Sequence, residues 1–316
     1  MSTALGALSG KERSAAINFW AFVLILALTV FALNFYFSTV RSSEENAARD
    51  LVAEIQVLSQ EVAKFSGEAA AGNFDAFEEL RVTRARTATI LSDLQRGNAD
   101  LPGYANDPVV GSVLDRLATT WSPINANAQR ILDSEEMLLD LAETARGFSG
   151  RIQQLQVAVD RAVGEMANAG EPSRQIRTAS NQIVLAERMV RYVTQILQGG
   201  GDAVSGADRL SLDAAAIAQT LEALSGAASD PNIRRVDSAA GQRALAEALE
   251  VYGGVQSDVD TILDSASDLN EVKEAAARIF EDSARLLNGA RDLNTSLSRL
   301  PEERMFPGIW VGAIAG

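Results

Sequence analysis

Two stretches of this sequence carry one apolar pattern, 131 residues apart. After Ile131-Leu132-Asp133-Ser134, apolar side chains fall at Leu138, Leu141, Ala145, Phe148, Ile152, Leu155, Val159, Ala162 and Met166. The same tetrapeptide recurs at 262–265, and the equivalent positions are Leu269, Val272, Ala276, Ile279, Ser283, Leu286, Ala290, Leu293 and Leu297. Spacings that alternate three and four make the seam of a helix packed along its length. Only Ser283 departs from apolar character, and composition alone does not hold two seams in step. Leu114 and Trp121 map by the same offset onto Leu245 and Tyr252. The chain is read as a duplication.

The earlier helices repeat with a slightly shorter offset. VLSQEVAKF at 57–65 lies over VLAERMVRY at 184–192. The first carries a seam of Leu51, Ile55, Leu58, Val62, Phe65 and Ala69. The second carries Leu185, Met189, Tyr192 and Ile196, flanked by Ile183, Val190, Val193 and Leu197. That wider apolar face predicts deeper burial.

Breakers divide each copy into four helices. In the first they are Gly72-Asn73, Gly97, the loop ending at Asp107-Pro108, and the region of Ser134; Gly170-Glu171-Pro172 separates the copies. In the second they are Gly199-Gly200-Gly201, Asp230-Pro231 and 265–267, with Pro301 ending the last helix. No stretch alternates with period two, so almost no sheet is expected. The predicted fold is all-α: an N-terminal transmembrane helix, then two tandem antiparallel four-helix bundles forming an elongated rod.

No residue from Ser14 to Val40 is charged, and the run INFWAFVLILALTVFALNFYF at 17–37 is long enough to cross a bilayer as a helix, which takes about 20 residues. It is too long for the apolar core of a signal peptide. Bulky Phe35, Tyr36 and Phe37 also stand where cleavage needs small residues. An uncleaved anchor is expected. Lys11 and Arg13 before it place the N-terminus in the cytoplasm and the bulk of the chain in the periplasm. The expected organisation is a cytoplasmic 1–16, a span at 17–40, modules at 41–169 and 170–300, and the start of a second span at 305–316.

Chemistry is restricted by what is missing. There are no cysteines and no histidines, which removes thiol and imidazole catalysis and makes a transition-metal site unexpected. No calcium-loop spacing occurs, and no cofactor is expected. A net charge of −14 disfavours nucleic acid as a partner. The polar candidates for a ligand are Gln56, Ser59, Gln60 and Lys64 in the first copy, and Arg188 and Arg191 in the second. The two arginines are neighbours on one helix face and suit a carboxylate. The alternative is an ordinary ion pair with Glu187 or another acid. Trp121 and Tyr252 are expected in the core. The glycine triplet lacks the strand and the Lys-Ser/Thr of a phosphate loop.

VLSQEVAKFSGEAAAG at 57–72, VLAERMVRY at 184–192 and VKEAAARIF at 272–280 resemble the periplasmic part of the PilJ family, the chemoreceptor-like methyl-accepting transducers of type IV pilus chemosensory systems. The order of elements resembles that family across essentially the whole chain. The resemblance implies a homodimer in the inner membrane that passes a periplasmic signal to a cytoplasmic methylated hairpin. That hairpin controls a histidine kinase through a coupling protein, and with it twitching motility. It further implies pilin as a contact, and makes this chain the input half. The modules are also similar to the nitrate-sensing bundles of sensor kinases such as NarX. The paired arginines of that family are replaced in 56–61 by QVLSQE, and the second copy keeps only Arg188, which speaks against nitrate. The readings to be weighed are therefore a sensor signalling by helix displacement, a small-ligand sensor of the kinase type, a passive envelope scaffold and, last, an enzyme.

Overall fold

The computed structural model describes residues 10–99 and 101–304, with the side chains at 10–18, 33–34, 37–42 and 301–304 excepted. Its helices are α1 (Gly10–Ala69), α2 (Phe74–Arg96), α3 (Gly111–Asp133), α4 (Glu135–Asn168), α5 (Ser173–Gln198), α6 (Gly201–Ser225) and α7 (Ala239–Arg304). Among the described residues the only β-pairing is two isolated bridges, Gly97 with Pro102 and Asp230 with Ile233.

The chain forms two compact units. One comprises, among the described residues, 10–55, 89–116 and 289–304. Its core is built from Val52 and Ile55 of α1, Ile90 and Leu94 of α2, Leu114 of α3, and Leu293, Leu297 and Leu300 of α7. The loop after α2 folds back on that helix. Gly97 has φ +82, and a Cβ there would lie 2.7 Å from the Gly103 nitrogen, so only glycine closes the turn. Tyr104 N–H then donates to the Leu94 carbonyl at 2.8 Å. Asp107 Oδ1 accepts from the N–H groups of Val109 and Val110, which caps the turn leading into α3.

The second unit comprises 56–88 and 117–288. Within it each of α4, α5, α6 and the first part of α7 runs antiparallel to the next, and α4 runs antiparallel to α7. Arg151 meets Asp258 at 2.5 Å and Arg161 meets Glu247, which fixes α4 against α7. Tyr252 Oη donates to the Ala214 carbonyl and Gln242 Nε2 to the Leu224 carbonyl, which fixes α6 against α7. Arg188 reaches Asp213 between α5 and α6. Glu171, in the turn between the sequence copies, accepts the N–H groups of Asp237 and Ser238 just before α7 begins. Residues 169 and 170 lie in the turn between α4 and α5.

Both long seams are buried except at one equivalent position. Phe148, Ala162 and Met166 are fully enclosed, as are their counterparts Ile279, Leu293 and Leu297, and Ser283 is buried within the apolar row. Ala145 and Ala276, again equivalent, are both half-buried. Trp121 and Tyr252 are core residues.

Two expected helix ends do not occur. At Ser134 the helix is interrupted for one residue, with φ −96 and ψ 11, and α4 starts on Glu135 and Glu136, which suit a helix N-terminus. The break expected at the equivalent 265–267 is absent: α7 runs through it. Two serines lower helix propensity by only about 0.5 kcal/mol each, less than the burial of Ile262 and Leu269 on either side returns. Pro301 does not end α7 either. Proline cannot donate to the carbonyl four residues back, that of Leu297, and the Arg49 guanidinium of α1 donates to that oxygen instead at 3.3 Å.

Among the described residues no helix is long and apolar enough to cross a membrane. The side chains of the run 17–40 are described only at 19–32 and 35–36, where Trp20, Phe22, Ile25, Leu28 and Phe31 are exposed. The expected second span at 305–316 and most of the expected cytoplasmic segment 1–16 lie outside the described residues.

Candidate functional site

The polar candidates of the first copy do not converge. Ser59 is buried, but its hydroxyl donates to the Gln56 carbonyl of its own helix at 2.8 Å. Gln56 is half-buried. Gln60 and Lys64 lie on the outer face of α1, with the Lys64 ammonium 5.0 Å from the centre of the adjacent Phe65 ring. Exposed positions along α1 recur at 46, 50, 53, 57, 60, 64 and 67, so both belong to one outward stripe.

In the second copy the two arginines part company. Arg191 is exposed. Arg188 donates through Nη2 to Asp213 Oδ1 at 2.9 Å and through Nε to the Tyr192 hydroxyl at 3.2 Å. Burial pushes the Asp213 carboxyl up, and the Arg188 guanidinium opposes this without cancelling it. The Tyr192 hydroxyl raises Arg188 further, against desolvation, with Asp213 adding. Asp213 Oδ2 is enclosed without a hydrogen-bond partner. A guanidinium already held by a buried carboxylate is a poor receptor for a second anion. The pair ties α5 to α6. A sequence signal for it exists: Asp213 sits in register with Leu210, Ile217 and Leu221, on the face that packs inward.

Nearby, Tyr252 Oη donates to the Ala214 carbonyl at 2.5 Å. Burial, with Asp260 and Glu222 adding, pushes this hydroxyl up to about 12 from an ordinary 10.0. An unfolded chain therefore loses this proton first as pH rises. Stability should fall between pH 10 and about 12, by about 1.4 kcal/mol per pH unit. Tyr252→Phe should flatten that fall at a neutral-pH cost of about 1 kcal/mol for the lost hydrogen bond. Urea unfolding at a series of pH values reads both effects.

The second unit also contains a cleft of about 640 Å³. It is lined by the α1–α2 turn from Ala70 to Phe74, by Leu138, Ala142 and Arg146 of α4, by Leu197 at the end of α5, and by Leu269 and Lys273 of α7. The repeat explains the arrangement. Gly72 and Gly199 are equivalent turn glycines with φ +79 and +75. A Cβ on Gly72 would lie 2.6 Å from Ala142; one on Gly199 would lie 3.0 Å from Lys273 Cγ. Ala142 and Lys273 are themselves equivalent, as are Leu138 and Leu269. The cleft is therefore walled by matching pieces of both copies, and Lys273 stands where the first copy has alanine. Lys273 is half-buried, which lowers the pKa of its ammonium, and no acid pairs with it among the described residues. Arg146 donates to the Ala142 carbonyl of its own helix and likewise has no acidic partner there. No cluster of three or more metal-ligating side chains occurs among the described residues.

The model of the PilJ family, described as the N-terminal part of type IV pili methyl-accepting chemotaxis transducers, matches residues 42–147. AlkN of Alcanivorax borkumensis, assigned to methyl-accepting chemotaxis, is 33% identical over 301 residues, covering 93% of this chain and 42% of AlkN. PilJ of Pseudomonas aeruginosa is 30% identical over 310 residues, covering 97% of this chain and 46% of PilJ. The chain thus spans less than half the length of these relatives. Residues 42–147 belong to the PilJ family of type IV pili methyl-accepting chemotaxis transducers, and nearly all of the chain is similar to PilJ and to the methyl-accepting chemotaxis protein AlkN.

Proposed function

We propose that this chain is the sensory input region of a membrane-anchored methyl-accepting transducer acting on type IV pili and twitching motility. The observation that carries the reading is the match to two transducers over 93% and 97% of the chain. In this reading the run 17–40 anchors the protein in the inner membrane, the modules 41–169 and 170–300 lie in the periplasm, and 305–316 opens a second span. The partners are a second copy of the chain, membrane lipid, pilin, and a cytoplasmic histidine kinase with its coupling protein.

Continuity of α1 and α7 favours signalling by helix displacement. α1 carries the apolar run and leads into the turn that lines the cleft; α7 carries Lys273 and leads to Arg304. A change at the cleft can act on both without crossing a loop. Dimerisation through the outward stripe of α1 is testable in single-cysteine variants, because the chain has no cysteine of its own. In membranes, cysteines at 46, 50, 53, 57, 60 and 64 should crosslink, and those at buried Val52, Ile55 and Val62 should not. A scan with no crosslinked dimer at any outward position would rule out the dimeric receptor.

A further inference from the structure

We infer that the cleft between the two sequence copies binds a small carboxylate with an apolar body, its carboxylate on Lys273 and its body along Leu138, Leu197, Leu269 and Phe74. Charge is the first argument. In a chain with 42 acids against 28 basic residues, Lys273 and Arg146 face one cleft whose lining contains no acid. A half-buried ammonium without a counter-charge is costly, and an incoming carboxylate relieves that cost. The stem of Lys273 is fixed by its packing on Gly199, whose turn is in turn held where Gly200 N–H donates to Asn270 Oδ1 at 3.2 Å. The cation is thereby held in place by the fold.

The apolar body follows from the rest of the lining. Aside from Gly72, Asn73 and the two cations, the walls are leucine, alanine and phenylalanine. Phe74 is 69% exposed at the cleft, an aromatic surface that a bound ring would cover. The volume lies in the range of small-molecule sites. Asymmetry points the same way: the duplication supplied matching walls, and Lys273 in place of an alanine adds a charge to one of them.

This inference deepens the sensory reading by naming a ligand class for it, while binding itself is measured without any signalling output. The full chain in lipid nanodiscs is titrated with phenylacetate by ligand-observed NMR, with empty discs as blank. 2-Phenylethanol supplies the same body without charge, and acetate the charge without the body. Phenylacetate should saturate at a dissociation constant of about 1 mM or tighter, with both comparators weaker by about tenfold or more. Lys273→Met, which keeps the length of the stem, should weaken phenylacetate by about tenfold, and Lys273→Arg should retain it. Equal binding of phenylacetate and 2-phenylethanol would overturn the inference without any variant. So would an unchanged affinity in a folded Lys273→Met chain, or no saturation by phenylacetate. Selective binding in a chain that fails the crosslinking scan would keep this inference and remove the receptor reading.

Discussion

Ala266→Pro should destabilise the protein by about 3 kcal/mol or more, and Ala266→Gly by about 1 kcal/mol. Both values follow from α7 being unbroken at 265–267. Proline there removes the bond to the Ile262 carbonyl and drives its ring into the preceding turn. Glycine leaves the bond and adds only backbone entropy. If the helix were instead interrupted here, as it is for one residue at the equivalent Ser134, both substitutions would cost much less. Urea unfolding followed by far-ultraviolet circular dichroism separates the cases. The result also bears on mechanism, because a helix broken between Leu269 and Tyr252 could not carry a displacement along its length.

Phe148→Ala should cost about 3–5 kcal/mol. Phe148 is fully buried in the α4 seam, among the largest enclosed side chains of the chain. Its removal combines lost transfer energy with a cavity that rigid helices close only in part. Phe280 is the contrast. It lies one residue past Ile279, the counterpart of Phe148, and is 72% exposed, so Phe280→Ala should change stability by no more than about 0.5 kcal/mol. Similar losses at the two positions in the same unfolding assay would mean that the heptad register of the second copy is displaced.

The seams were readable because burial of one helix face imposes a period, and a period survives in a single sequence. The matched burial of the seams from Leu138 to Met166 and from Leu269 to Leu297, with Ala145 and Ala276 both half-buried, follows from that rule. Helix ends were less legible, since an end is decided by small propensities competing with tertiary contacts. The tetrapeptide at 131–134 and its copy at 262–265 are identical, yet only the first is followed by two glutamates, and only there is the helix interrupted. Pro301 is tolerated through Arg49, which lies far away in sequence. The candidate cleft was not legible for the same reason. Nothing local to Lys273 or Arg146 says that they share a lining; the equivalence of Gly72 with Gly199 and of Ala142 with Lys273 acquires meaning only once the turns sit on the helices. The polar candidates on α1 come from the stretch that matches the arginine-bearing stretch of the second copy by sequence, yet Gln60 and Lys64 point outward while Ser59 is buried.

The most direct measurement of the central claim is made in piliated cells that lack their own PilJ-type transducer. Residues 1–316 replace the matching N-terminal part of that transducer, and twitching zones are measured alongside the amount of fusion protein in the membrane fraction. The account predicts a membrane-inserted fusion that restores twitching, with Ala266→Pro abolishing the restoration. A fusion present in the membrane at the normal level that leaves the cells unable to twitch would contradict the assignment of this chain as a signalling input.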